Sequence, residues 1–267
     1  MLKKILLFLF VCCIFVLEIL NLILNYRNKT INKKILNNQK QMMIKMSLKD
    51  DVFIMKDAKM YVPNYPMEYV QSTIVNSGKF YEEEWLKQID KVFPKDAIVL
   101  DIGANIGNHT VYWLKATPNR AKHIYSFEVI DTTFENLKKN IEVNGLQDKT
   151  TLFKFGLGDK NTHVKKDRFV IHAAGLTRVK EDDQGDFEIR RLDDVKLDHD
   201  KVDFVKIDVE GLELEVLKGG INTWNKYKPM IWVENNDEKK IAEFMNSIGY
   251  KIKMITGRNV LYSYNGE

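Results

Sequence analysis

The chain has 267 residues, room for one large domain or one domain plus an appendage, and its 45% apolar and 29% charged residues are those of a globular protein. The net charge of +4 is uneven: within residues 1–60 eleven Lys and Arg face four acids, so the basic excess belongs to an N-terminal arm and a nucleic-acid groove is excluded. The only cysteines, Cys12 and Cys13, are adjacent, which excludes a disulfide framework.

Residues 5–24 are apolar apart from Glu18 and Asn21. About 20 such residues suffice for a helix to cross a hydrocarbon core. No small-x-small cleavage site follows, so the run reads as an uncleaved, single-pass membrane anchor. Glu18 keeps a buried or interfacial helix open, because a carboxylate at membrane depth is costly. Cations are more numerous after the run (Arg27, Lys29, Lys33, Lys34) than before it (Lys3, Lys4), which puts the rest of the chain on the cytoplasmic side. Residues 25–60 read as a juxtamembrane helix or stalk. Ile31, Ile35, Met42 and Met46 share one stripe there, a seam on which a homodimer could pair. Pro63 and Pro66 end that pattern, and an extended piece at 67–76 and a helix at 82–92 are expected next. The chain thus divides into an anchor (1–26), a stalk with an N-terminal extension (27–79) and a domain (80–267).

Residues 97–102 form an apolar run interrupted only by Asp101 and followed by Gly103-Ala104-Asn105-Ile106-Gly107 and a helix-compatible segment. This is the first strand–turn–helix of a nucleotide-binding sheet. The third glycine of a dinucleotide fingerprint is missing, and the acid before the turn repels a pyrophosphate. A cationic cofactor such as S-adenosylmethionine suits it better. Further strands are expected at 123–127, 151–155, 187–192, 202–207 and 230–233, and helices at 133–143, 212–217 and 238–248. A closing antiparallel pair is expected at 250–255 and 259–264, while 160–186 read as polar and irregular. The alternation implies an α/β fold with a mostly parallel sheet covered on both faces.

Asp101, Glu128, Asp208 and Glu234 all stand at or near carboxyl ends of strands, the edge where such sheets bind ligands. Glu128, after the second strand, is where a ribose diol is held, since a carboxylate accepts from both hydroxyls. Each acid alone could instead be a helix N-cap.

Five blocks in order, Asp101-x-Gly-Ala-Asn-x-Gly, Phe127-Glu128, Leu157-Gly158-Asp159, Leu192-Asp193-Asp194 and Lys206-Ile207-Asp208-Val209-Glu210-Gly211, resemble the FkbM-type methyltransferases over residues 80–250. The resemblance implies a class I, Rossmann-like, S-adenosylmethionine-dependent enzyme, many of whose relatives methylate hydroxyls of sugars. It implies that Asp101, Gly103, Asn105 and Gly107 hold the methionine part of the cofactor. It assigns Glu128 to the ribose and Phe155, Gly156 and Asp159 to the surroundings of the adenine, with Asp208 and Glu210 next to the sulfonium and the acceptor. Val129 departs from the usual proline, and 171–175 depart from a small-residue loop that faces the acceptor.

The expected reaction is in-line displacement at the methyl carbon by a hydroxyl of a small-molecule or glycan acceptor. Such a hydroxyl needs a base within hydrogen-bond reach. Asp208 is the first candidate, Glu210 the second and His172 the third. Glu210 as a helix-terminal charge, His172 as a solvated side chain and His109 as a packed helix residue are the plain alternatives. Asp208 with Asp193, Asp194 and Glu234 could hold a Mg²⁺-like ion, but no ligand spacing is diagnostic and no metal is expected. Rival readings are an NAD-dependent nucleotide-sugar oxidoreductase, disfavoured by the missing glycine, and a catalytically silent membrane scaffold, disfavoured by the intact acids.

Overall fold

The computed structural model describes residues 2–166, 179–181 and 185–265, with backbone alone for 2–19, 21, 41, 45, 47, 166 and 179–181. The chain divides into two units, residues 1–49 and 50–267.

The first unit is one helix, α1 (Leu2–Ser47), with Leu22, Ile31, Leu36, Met42 and Met46 exposed. Among the described residues no helix is long and apolar enough to cross a membrane. The apolar run at 5–24, read from sequence as an anchor, lies outside the described side chains except for Leu20 and residues 22–24.

In the second unit the expected continuation of the stalk to residue 60 is corrected. Asp50 and Asp51 take left-handed φ of 54° and 58°, and the chain turns into an antiparallel hairpin, β1 (Val52–Ile54) and β2 (Lys59–Tyr61). Nor is 67–76 extended: α2 (Tyr69–Ser77) forms there. The Glu68 side chain caps it by accepting from Val70 N–H and Gln71 N–H, and Gly78 closes it at φ 69°. Gln71, Ile74 and Val75 lie on one buried helical face, and two good caps decide for the helix against the β-branched residues' preference for extended backbone. Helix α3 (Glu83–Ile89) follows.

From there strands and helices alternate: β3 (Ile98–Ile102), α4 (Asn108–Lys115), β4 (His123–Phe127), α5 (Asp131–Asn144) and β5 (Thr150–Phe153). A small second sheet holds β6 (Gly156–Leu157), β7 (Thr162–Lys166), β8 (Val179–Glu181) and β9 (Phe187–Arg190). Its β7–β8 pair corrects the irregular reading at 162–166 and 179–181; among the described side chains of 160–186 only Val164 is buried. Then come β10 (Phe204–Ile207), α6 (Glu213–Gly219), an unexpected α7 (Ile221–Tyr227), β11 (Met230–Glu234), α8 (Glu238–Ser247), β12 (Tyr250–Thr256) and β13 (Asn259–Tyr264).

The main sheet has the order β12-β13-β11-β10-β3-β4-β5. Strands β11, β10, β3, β4 and β5 pair in parallel, and β13 lies antiparallel between β11 and β12. All five residues of β3 and all four of β10 are buried, as strands covered on both faces require. The chain runs outward from β3 through β4 to β5, then returns to β10 on the other side of β3. That reversal opens a crevice at the carboxyl ends of β3 and β10, where such sheets bind ligands.

Candidate active site

The loop after β3 is held against its neighbours by backbone. Gly103 N–H and Ala104 N–H both donate to Phe127 O, at 3.0 and 2.9 Å. Gly103 sits at φ 75°, and a Cβ there would stand 1.9 Å from Asp208 O, so only glycine lets the ends of β3 and β10 approach this closely. Asn105, at φ 51°, donates its N–H to Glu128 Oε2 at 2.9 Å. Glu128 Oε1 accepts from Ile130 N–H at 2.8 Å, so this carboxylate ties the glycine loop to the start of α5. Burial pushes the Glu128 carboxyl up, against the pull of those two N–H groups.

Beside this loop lies a cleft of about 670 Å³. Gly103, Asn105 and Glu128 line it together with apolar walls from Val129, Ile130, Leu157 and Ile189, and Gly156, Asp208 and Glu210 complete it. A second cleft, of about 1010 Å³, is lined by Tyr69, Tyr81, Glu82, His109, Lys206, Glu234 and Arg258. Asn105, Asp208 and Glu210 line both, so the two meet at the end of β10.

Charge at that junction is organised by Lys206, a lysine within an otherwise apolar strand. Its Nζ donates to Gly103 O at 2.6 Å and lies 3.4 Å from Asp208 Oδ2 and 3.6 Å from Asp101 Oδ1. Burial would lower this ammonium, but Asp208 and Asp101 outweigh it and hold it above its ordinary value. Burial would likewise raise Asp208, yet Lys206, His109 and a hydrogen bond with Glu234 hold that carboxyl below its ordinary value. The proton is displaced onto its neighbours. Burial and then the Asp208 charge push Glu234 up to about 7 and push Glu210 upward too. Glu234 Oε1 also meets Arg258 Nη2 at 2.8 Å.

Of the residues singled out from sequence, Gly103, Asn105, Glu128, Gly156, Asp208 and Glu210 come together around these clefts. Asp101 does not line either. It is fully buried behind the loop, accepting from Thr110 Oγ at 2.6 Å and facing Lys206. Gly107 caps the start of α4 at φ 85°. Phe155 packs in the core under the Arg190 guanidinium, 4.2 Å above its ring, and Asp159 is exposed; neither lines a cleft. His172 lies outside the described residues. Asp193 accepts from Asn222 N–H, Thr223 N–H and Thr223 Oγ, and so caps α7 away from the clefts; Asp194 accepts from Asn161 Nδ2. Among the described residues no group of three His, Cys, Asp or Glu could hold a metal ion. Sequence reasoning gave no role to Lys206, Tyr81, Glu82 or Arg258, and read His109 as mere packing. Only Lys206 carried a signal, as the one charge inside the otherwise apolar β10.

The family model for the methyltransferase FkbM domain matches residues 101–252. Among solved structures, methyltransferase FkbM from Methylobacillus flagellatus KT is similar with a TM-score of 0.51 and 18% identity, covering 87% of this chain. The match covers 60% of that protein's own length. A protein of the NADB-Rossmann superfamily from Streptococcus agalactiae follows at 0.46 and 16% identity, over 68% of each chain. A ribosomal protein L11 methylase from Lactobacillus delbrueckii subsp. bulgaricus has 0.43 and 16%, over 67% of this chain and 76% of its own. No curated protein matches. The family model spans more than half of the sequence, from Asp101 of β3 into β12, and the chain belongs to the FkbM methyltransferase-domain family.

Proposed function

We propose that the chain is an S-adenosylmethionine-dependent O-methyltransferase acting on a hydroxyl of a sugar or glycan-type acceptor. The observation that carries this reading is the meeting of two clefts at Asp208 and Glu210, one backbone- and apolar-walled, the other lined with charge. The first cleft fits the cofactor. Its apolar walls suit an adenine, Glu128 stands where a ribose diol is held, and Gly103 and Asn105 border the acid-rich end that suits a cationic centre. Asp101 acts from behind, through Lys206 and Thr110.

When bound, S-adenosylmethionine supplies a methyl carbon already activated by the sulfonium. The chain's own task is to hold an acceptor oxygen in line with that carbon, exclude water and receive the hydroxyl proton. Asp208 takes this proton, because Lys206 keeps it ionised at neutral pH and it lines both clefts. Glu210, beside it, is the second base. Carboxylates are apt partners for a sugar because they accept hydrogen bonds from neighbouring hydroxyls.

The apolar run at 5–24 and the cations after it support a membrane anchor, with the catalytic unit on the cytoplasmic side. The exposed stripe of Ile31, Ile35, Met42 and Met46 supports a homodimer through the stalk.

Calorimetric titration of the full chain with S-adenosylmethionine and, separately, NAD tests the cofactor. Saturable binding of the former alone, weakened in Glu128→Gln, is expected. Binding of NAD in its place would overturn the assignment. Transfer of labelled methyl to a hydroxyl in a glycan panel then tests the acceptor, and label found only on nitrogen or carbon would count against it.

A further inference from the structure

Both cations of the second cleft are already engaged. Lys206 is shared by Gly103 O, Asp101 and Asp208, and Arg258 holds Glu234. Five carboxyls line the same cleft: Glu68, Glu82, Asp208, Glu210 and Glu234. Glu68 is occupied in capping α2. The remaining four outnumber the two cations, and the cofactor, with a sulfonium and an ammonium against one carboxylate, brings a single net positive charge. Counting Asp101, which shares Lys206, one carboxylate is left without a counter-charge even with Glu234 protonated.

Two further features concern the ligand. His109, 5% exposed, lines the cleft with an Nε2 that makes no hydrogen bond; its nearest acid is Glu82 Oε2 at 3.5 Å. Tyr69 and Tyr81 pair edge to face in the same lining, ring centroids 5.9 Å apart. A phosphate would meet carboxylates and find both cations taken. A neutral polyol would supply hydroxyl donors but leave the charge surplus. An ammonium supplies donors and charge together, and aromatic faces attract it as well.

Resting on the methyltransferase reading above, we infer that the acceptor carries a protonated amine beside its hydroxyls, as an amino sugar or another amine-bearing polyol does, and that phosphate-bearing acceptors are refused. The proton held by Glu234 near neutrality marks the place where such a charge is missing: burial and Asp208 raise this carboxyl, and a bound ammonium lowers it again.

The test uses the full chain loaded with S-adenosylhomocysteine, titrated at pH 7 with glucosamine, glucose and glucose 6-phosphate in two buffers of different ionisation enthalpy. Glucosamine should bind roughly tenfold or more tightly than glucose, as a charge-assisted hydrogen bond implies. Its binding should release protons, and glucose 6-phosphate should give no heat. Glu210→Gln should reduce the ratio of glucosamine to glucose affinity by about tenfold. Equal binding of glucosamine and glucose, tighter binding of the phosphate, binding of none of the three, or displacement of glucosamine by Mg²⁺ would each overturn the inference. Cofactor affinity is measured on the same sample. Its absence sinks the methyltransferase reading, while the amine preference is still read on the unloaded protein.

Discussion

The two clefts that meet at the end of β10 are built from different materials. Around the first, the backbone does much of the work: Gly103 and Ala104 N–H on Phe127 O, Asn105 N–H on Glu128, and apolar walls from Val129, Leu157 and Ile189. Nearly all of it follows from β10, β3 and β4 ending side by side, with β6 and β9 of the small sheet supplying Gly156, Leu157 and Ile189. The second is built from side chains sent by α2, the start of α3, α4, β10, β11 and the β12–β13 turn, and about half of those side chains are charged. Backbone and apolar walls are a property of the fold and suit one invariant ligand. Dispersed charges can be exchanged one by one without disturbing the sheet, and so suit the ligand that differs between enzymes.

Lys206 lines the second cleft and holds Gly103 O and Asp208 at the edge of the first, and removing it should have the largest effect. Lys206→Met leaves Asp101 and Asp208 without their shared cation, and Asp101 is fully buried. Breaking such a buried network costs about 3–5 kcal/mol. The urea midpoint should fall accordingly, with the slope of the transition unchanged. A midpoint within error of the parent protein would mean that the junction is not held by charge. Next comes Asp208→Asn, which removes the proton acceptor but keeps the shape. Methyl transfer should fall by about 10²–10⁴-fold, the usual range for a general base. Cofactor affinity measured by calorimetry should change only a few-fold. Equal losses in both would dissolve the distinction between the clefts.

The same distinction explains what could be read from the sequence. Strands β3, β4 and β10 are buried on both faces, so they stand out as apolar runs, and the glycine turn between β3 and α4 is contiguous. The first cleft was therefore legible at Gly103, Asn105, Glu128 and Gly156, but not in its apolar walls. Four assignments there did not translate into lining: Asp101 is buried behind the loop, Gly107 caps α4, Phe155 turns into the core, and Asp159, three residues beyond Gly156, turns outward. The second cleft was legible only in its acids. Tyr81, Glu82 and Arg258 come from opposite ends of the domain, and no periodicity marks a residue that matters through convergence. Helix α2, which brings Tyr69, was hidden by β-branched residues whose strand preference its two caps override.

Glu128→Gln sharpens the comparison from the first cleft. The carboxylate accepts from Asn105 N–H with one oxygen and from Ile130 N–H with the other, and an amide can satisfy only one of them. Losing one charge-assisted bond costs about 1.5–3 kcal/mol. Cofactor affinity should drop roughly tenfold or more, while turnover at saturating cofactor stays within a few-fold. A fall in turnover with unchanged affinity would move Glu128 from cofactor binding to chemistry.

The smallest effect belongs to Glu234 and concerns pH. Burial and the Asp208 charge raise its carboxyl from 4.5 to about 7 in the folded chain. Between those values the folded state holds a proton that the unfolded state has released. Stability therefore falls as pH rises through this window, the opposite of the usual salt-bridged carboxylate, because the proton count is larger on the folded side. Glu234→Gln removes the titration, keeps the shape and should flatten that slope, most visibly as a gain in urea midpoint at pH 8 relative to the parent and a smaller difference at pH 5. The gain is partly offset because Arg258 loses its partner, although Arg258 is largely exposed and such a pair contributes little. An unchanged slope would place the proton elsewhere in the cleft, with Glu210, also raised by burial and Asp208, as the next carboxyl to remove.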